Sequence, residues 1–172
     1  MKCIGIISDT HGFLDSAVLE NFSLCDEIWH AGDFGKGVSE ALEAKKILKG
    51  VSGNIDGHDI RWKFAQSLHF FCEEVNVFIT HIGGYPGRYE PKVKHQLELI
   101  RPDLFISGHS HILKIIRDPK INNLLHINPG AAGKLGFHQM RTIIRLKIDY
   151  KRIFDVEIIE LGKRVELLNK KN

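Results

Sequence analysis

Three cysteines in 172 residues, odd in number and without paired spacing, leave no material for a disulfide framework or a sulfur-based zinc site. Cys3, Cys25 and Cys72 read instead as small buried side chains kept in a reducing compartment, with the cytoplasm as the default location. Long apolar runs are missing too. The opening MKCIGIISDT has a short apolar stretch that stops at Asp9, too little for a signal-peptide core, and nothing approaches a membrane span. Charge of one sign is also scarce. A net +3 does not mark a nucleic-acid-binding surface, and several of the positive charges sit in the final GKRVELLNKKN. With five prolines and no repeat, low-complexity block or Ser-rich linker, nothing divides the chain. One domain over 1–172 is expected, with 164–172 a loosely packed tail. What is present is ordinary globular composition, 43% apolar and 26% charged, long enough to bury a core.

The first half alternates strand-like and helix-like segments. CIGIIS (3–8) is a continuous apolar run of the kind buried on both faces, followed by a helical pattern over 15–23. EIWHAG (27–32) reads as strand, VSEALEAKK (38–46) as helix and ILKGVSG (47–53) as strand again, a rhythm that implies parallel strands. A hairpin is expected from LHFFCEE into VNVFIT (75–80), then a helix over 91–100 with Pro91 in its first turn. After LFIS (104–107) nearly everything reads as strand, a β-meander through ILKIIRD, LLHIN, MRTIIRLKID and RIFDVEIIEL. Two stacked sheets with helices outside follow from that pattern.

The residue after each apolar run carries the chemistry. CIGIIS is followed by Asp9-Thr10-His11-Gly12, EIWHAG by Asp33, ILKGVSG by Asn54, NVFIT by His81, and LFISG by His109-Ser110-His111. Singly, these are capping turns and turn dipeptides. Together they place Asp, Asn or His at five carboxyl ends, and parallel strands bring such ends to one edge, where ligands bind. Two carboxylates, one amide and four imidazoles without a thiolate exceed what one tetrahedral ion takes. They suit two ions sharing a carboxylate, drawn from Mn, Fe, Zn, Co or Ni. Residues one apart on an extended segment point the same way, so Asp9-x-His11 and His109-x-His111 can each aim two side chains at one place.

These residues, with Gly53-Asn54-Ile55-Asp56, Thr80-His81, Gly108-His109-Ser110-His111 and INPGAAG (127–133), resemble the calcineurin-like metallophosphoesterases over essentially the whole chain. The resemblance is to the small YfcE-like phosphodiesterase branch and the related retromer subunit. It implies an α/β fold, a four-layer αββα sandwich of two mixed sheets flanked by helices. It also implies a dinuclear site: Asp9, His11 and His111 on one ion, Asn54, His81 and His109 on the other, Asp33 bridging, with Mn the favoured metal. The implied activity is phosphodiester hydrolysis by a metal-bound hydroxide. A phosphomonoesterase or nucleotidase using the same site, and a catalytically weak interaction module, are the alternatives.

Two departures from the family bear on substrate and leaving group. Ile55 stands where larger members carry a histidine near the leaving group, and THIGGYPGRY (80–89) replaces the branch's Thr-His-Gly-His. His58, Asp56 or water is left to protonate the leaving group, and Asp56 is expected to brace the site from behind the ligands. Asn54 and Arg88, with Tyr89, are expected to touch a small phosphate-ester substrate. His30 is expected in the core or behind the ligands, His69 and His126 as strand residues and His95 on a polar helix face, while His138, just past the Asn-Pro-Gly segment, is discounted as a site residue. No membrane or specific nucleic acid is implied; the exposed strand edges of the second half admit a homo-oligomer.

Overall fold

The structure of the chain, a computed structural model, describes residues 1–165. Its elements are β1 (Lys2–Ile7), α1 (Ser16–Asn21), β2 (Glu27–His30), α2 (Val38–Glu43), β3 (Ile47–Gly50), α3 (His58–Lys63), β4 (Ser67–Cys72) and β5 (Val75–Thr80). There follow β6 (Gly84–Tyr85), β7 (Arg88–Tyr89), α4 (Pro91–Ile100), β8 (Leu104–Ile106), β9 (Lys114–Asp118), β10 (Leu124–Asn128), β11 (Met140–Asp149) and β12 (Arg152–Lys163).

Ten of these strands form two mixed five-stranded sheets, ordered β12-β11-β1-β2-β3 and β4-β5-β8-β10-β9. In the first, β1, β2 and β3 are parallel while β11 lies antiparallel to β1; in the second, β5, β8 and β10 are parallel. The strands carry two apolar faces, which is why they read as unbroken runs. Ile4 and Ile6 of β1 meet Val75, Val77, Ile79, Leu104 and Ile106 between the sheets. Ile7 points the other way, to Val18 and Phe22 of the α1 region, Leu42 of α2 and Ile60 of α3. On the far side, Phe78 and Phe105 pack on Val93 and Leu97 of α4. The layers are therefore helices, sheet, sheet and helix, the four-layer sandwich expected. Among the described residues no helix is long and apolar enough to cross a membrane.

Three features differ from the expectation. The strand-rich second half is not one meander: β9 and β10 finish the second sheet, whereas β11 and β12 return to the first, where β11 occupies the free edge of β1. Residues 58–63 form a short helix where a loop was expected, with Asp59 in its first turn and Arg61 and Lys63 in its last, each sign facing the favourable end of the helix dipole. A two-residue hairpin, β6–β7, sits inside the Gly-rich loop after His81. Of the expected tail, Arg164 is held by a backbone bond to Gln139, and residues 166–172 lie outside the described residues.

Several buried polar side chains are tied into this frame. Glu27, 2% exposed, accepts from Lys2, Lys49 and the Trp29 indole; burial works against its charge, but these donors win and hold the carboxyl at about 2. His30 and His126 are buried histidines, and burial drives them down to about 3 and about 4. Below the ordinary value of 6.5 the unfolded chain takes up protons that these folded rings refuse. Stability is therefore full above that value and is lost as pH falls. In chelator-treated protein, unfolding free energy by urea titration is expected to fall by about 1.4 kcal/mol per pH unit for each ring. His126→Phe should remove one ring's share of that slope; an unchanged slope would refute the assignment.

Candidate metal centre

The parallel strands of both sheets end on one side of the sandwich, and the loops leaving them carry the polar residues. These loops are tightly wound. Asp9, His11, Asp33, His109 and His111 all have φ between 49° and 66°, in the left-handed region. Asp and His are among the side chains that tolerate it, and such strain is held only where surrounding contacts fix it. The paired residues thus converge by this winding just beyond the strand ends, and not by the two-residue alternation of an extended strand. Backbone bonds lace the loops together: Asp9 N to Gly32 O at 3.0 Å, His11 N to Asp33 O at 3.0 Å, and Gly108 N to His81 O at 3.0 Å.

Asp9 sits at the centre and is fully buried. Its Oδ2 accepts from the Ser8 hydroxyl at 2.6 Å and from the His109 backbone N–H at 3.0 Å. Its Oδ1 has no hydrogen-bond partner among the described residues. Around that oxygen stand Nε2 of His111 at 3.1 Å and Nε2 of His11 and His81, each at 3.9 Å. Nε2 of His11 and Nε2 of His111 are themselves 3.3 Å apart.

On the other side, the buried His81 ring has its Nδ1 2.7 Å from the Ala31 carbonyl, which can only accept. Nδ1 therefore carries hydrogen, and Nε2 is turned toward Asn54 Oδ1 at 3.0 Å and Asp33 Oδ2 at 3.2 Å. Burial opposes a charge on both partners. For His81 the Asp33 and Asp9 carboxylates outweigh it and raise the imidazole above its ordinary range; for Asp33 the His81 contact outweighs it and lowers the carboxyl. Asp33 Oδ1 accepts the Ile55 N–H at 3.0 Å, so position 55 serves the site through its backbone.

Among the described residues, two groups meet the geometry of a cation site: Asp9 with His11 and His111, and Asp9 with Asp33 and His81. They share Asp9, where the family resemblance has Asp33 bridging. Asn54 adjoins the second group through His81, and the exposed His109 ring stands at right angles to His81 with centroids 5.2 Å apart. A buried carboxylate oxygen without a donor, surrounded by imidazole nitrogens, is unfavourable unless positive charge lies between them. The N/O donor set fits a divalent ion, and fits Mn, Zn, Fe, Co and Ni by type.

The bracing residues were mostly invisible in sequence. Asn128 donates to the Gly108 carbonyl at 2.8 Å and accepts from Gly130 N at 3.0 Å, which gives the Asn-Pro-Gly segment its task of fixing the His109–His111 turn. Asp56 accepts from Gly53 N at 2.8 Å and Gly35 N at 3.0 Å, the bracing role expected of it. His30 stacks on Phe34, accepts from Gly32 N at 3.1 Å and lies 3.0 Å from Thr10 Oγ1, so it serves core and site together. His138, discounted on its sequence position, reaches Nδ1 of His111 at 3.3 Å. Two further histidines find side-chain partners: His69 meets Asn76, and His126 meets Ser107 through Nε2.

Two hollows flank the site. One, about 680 Å³, is lined by Asn54, His81, Arg61, Lys92 and His95. The other, about 440 Å³, is lined by His109, His111, Ile112, Phe137 and His138. Arg61, which no sequence signal marks, lies on α3; its guanidinium donates to the Asp56 carbonyl at 2.8 Å and the Asn54 carbonyl at 3.0 Å. Arg88 is exposed on β7, outside the lining of either hollow. Tyr89 donates to Asp118 at 2.9 Å and packs on Phe105. His58 accepts the Trp62 indole N–H at 2.7 Å on the exposed face of α3.

A family model described as the calcineurin-like phosphoesterase superfamily domain matches residues 1–151. The chain belongs to that superfamily. Its fold is shared by Vps29 of Chaetomium thermophilum, at 14% identity and a TM-score of 0.73 over 95% of this chain and all of that one. A protein of Thermotoga maritima has 22% identity and a TM-score of 0.68, covering 94% of this chain and 100% of its own. A predicted phosphoesterase of Streptococcus pneumoniae has 18% identity and a TM-score of 0.67, covering 92% and 97%. No curated protein matches the sequence.

Close approach explains the glycine before two of the donors. A side chain at Gly53 would overlap the Asp33 carboxylate, and one at Gly108 would overlap Ser8 Oγ and the Asp9 carboxylate. Gly57, four residues on, faces open space. Gly53→Ala is expected to weaken calorimetrically measured Mn²⁺ binding by about 10- to 100-fold, as displaced supports of metal ligands do. Gly57→Ala should leave it unchanged; equal effects at the two positions would overturn the explanation.

Proposed function

We propose that this protein is a metal-dependent phosphoesterase that hydrolyses phosphodiesters, with two divalent ions held by Asp9, His11, Asp33, Asn54, His81, His109 and His111. The observation that carries the reading is the donorless, fully buried Asp9 Oδ1 facing three imidazole nitrogens. Such a centre, when loaded, supplies positive charge to an anionic phosphate and activates water as a nucleophile. Two carboxylates among the donors leave a pair of divalent ions with net positive charge, which favours an anionic substrate.

The chain's own residues do the rest. Asp9 is locked by Ser8 and the His109 N–H, and Asp33 by the Ile55 N–H, so both carboxylates are held before substrate arrives. Asn54 and Arg61 face the larger hollow, where Lys92 and His95 add donors for a charged or polar ester arm. Ile112 and Phe137 give the smaller hollow an apolar wall. A phosphate with room on both sides suits a diester, which has two arms to seat; a monoester has one. Position 55 offers no acid to the leaving group, and His58 is turned to Trp62. Leaving groups stable without a proton are therefore favoured.

Bis-p-nitrophenyl phosphate and p-nitrophenyl phosphate, assayed side by side with metal-stripped protein re-loaded with Mn²⁺, test this. The diester should turn over faster, and Asp33→Asn should abolish turnover. Arg61→Ala should raise KM about tenfold or more, as loss of a charge-assisted hydrogen bond does, and by more than Arg88→Ala. Faster monoester turnover would make it a phosphomonoesterase. Failure of both esters with Mn²⁺, Ni²⁺, Zn²⁺ and Co²⁺ would overturn the enzyme reading in favour of an interaction module.

A further inference from the structure

His138 lies outside the seven donors, yet its ring stands against one of them. We propose that His138 is a positioning residue that decides which nitrogen His111 presents to a metal. The argument is a chain of hydrogen bonds read from its fixed end, and it rests on the metal reading above.

That fixed end is the Gly133 carbonyl, which only accepts; it lies 3.0 Å from His138 Nε2, so this nitrogen carries hydrogen. The neutral ring then has a bare Nδ1. It lies 3.3 Å from Nδ1 of His111, which must therefore be the donor. His111 is left with its lone pair on Nε2, the atom 3.1 Å from Asp9 Oδ1 and 3.3 Å from His11 Nε2. That lone pair stands beside the donorless Asp9 Oδ1. Without His138 the His111 ring is free to place its hydrogen on Nε2, which would take the lone pair out of the site. A second ring nitrogen engaged by an outer acceptor is the usual device for fixing a metal-binding imidazole.

The segment bearing His138 is shaped for this contact. Gly136 runs so close to the His111 ring that a side chain there would overlap its Nδ1. Arg164, just past β12, donates to the His138 carbonyl at 2.9 Å and to the Lys134 carbonyl at 3.4 Å, pinning the segment at both ends.

Metal-stripped wild type, His138→Phe and His138→Asn are titrated with Mn²⁺ calorimetrically, with melting temperatures recorded alongside. The Phe variant, without an acceptor, should bind about 10- to 100-fold more weakly. The Asn variant keeps an acceptor at the Nδ1 position and should stay close to wild type. Phe binding as tightly as wild type, or Asn failing as badly as Phe, would overturn the inference while the metal reading stood. Wild type that takes up no Mn²⁺ would overturn both. Nitrogen NMR of zinc-loaded wild type needs no variant: hydrogen on His111 Nδ1 supports the inference, and a bare Nδ1 refutes it.

Discussion

Everything at the open edge of this sandwich is organised around one uncompensated oxygen. Asp9 is fully buried, its Oδ2 takes two donors, and its Oδ1 takes none among the described residues. A charge buried without a partner costs several kcal/mol, so folded proteins pair it or neutralise it. Here the nearest side-chain atoms are the Nε2 atoms of His11, His81 and His111. A cation at the focus would make the arrangement favourable, and the other oddities of the site surround that same oxygen.

The first consequence is backbone strain. Five donors sit in left-handed conformations that a free loop would abandon. They persist because the loops are cross-tied by Asp9 to Gly32, His11 to Asp33, and Gly133 to Asp9, and because Asn128 and Asp56 hold the flanking turns. The second consequence concerns the two sheets. His81 follows β5 of one sheet and bonds to Ala31, which follows β2 of the other; the His109 N–H, beyond β8, bonds to Asp9, beyond β1. The site is thus also a seam between the sheets, and loosening it would loosen their packing at that edge.

Much of this was legible in the sequence and some was not, for a physical reason. Strand runs such as 140–149 and the helix at 91–100 announce themselves because burial imposes periodicity on neighbouring residues. The donors announced themselves because each ends such a run. Apart from Asp56, the supports did not, since their meaning lies in distant pairs: Asn128 with Gly108, His138 with Gly133 and His111. A lone Asn or His carries no sign of the carbonyl it will meet. The α3 helix escaped because six residues with a single buried apolar position leave almost no period to read. Arg61 was lost with it, and Arg88 drew attention instead because it stands beside conspicuous turn glycines.

Asp33 and Asp9 make different kinds of donor. Asp33 has both oxygens engaged, Oδ1 accepting from the Ile55 amide and Oδ2 lying 3.2 Å from His81 Nε2. Asp9 Oδ1 has no such partner among the described residues. The two groups that share Asp9 therefore differ: His11 and His111 stand around an oxygen without a donor, whereas His81 stands against a carboxylate with contacts on both oxygens. Two donor groups built from one strand-end arrangement thus differ in how far their carboxylates are already held, and the difference lies in the backbone: Ile55 offers its amide to Asp33, while the amide of His109 goes to the other oxygen of Asp9.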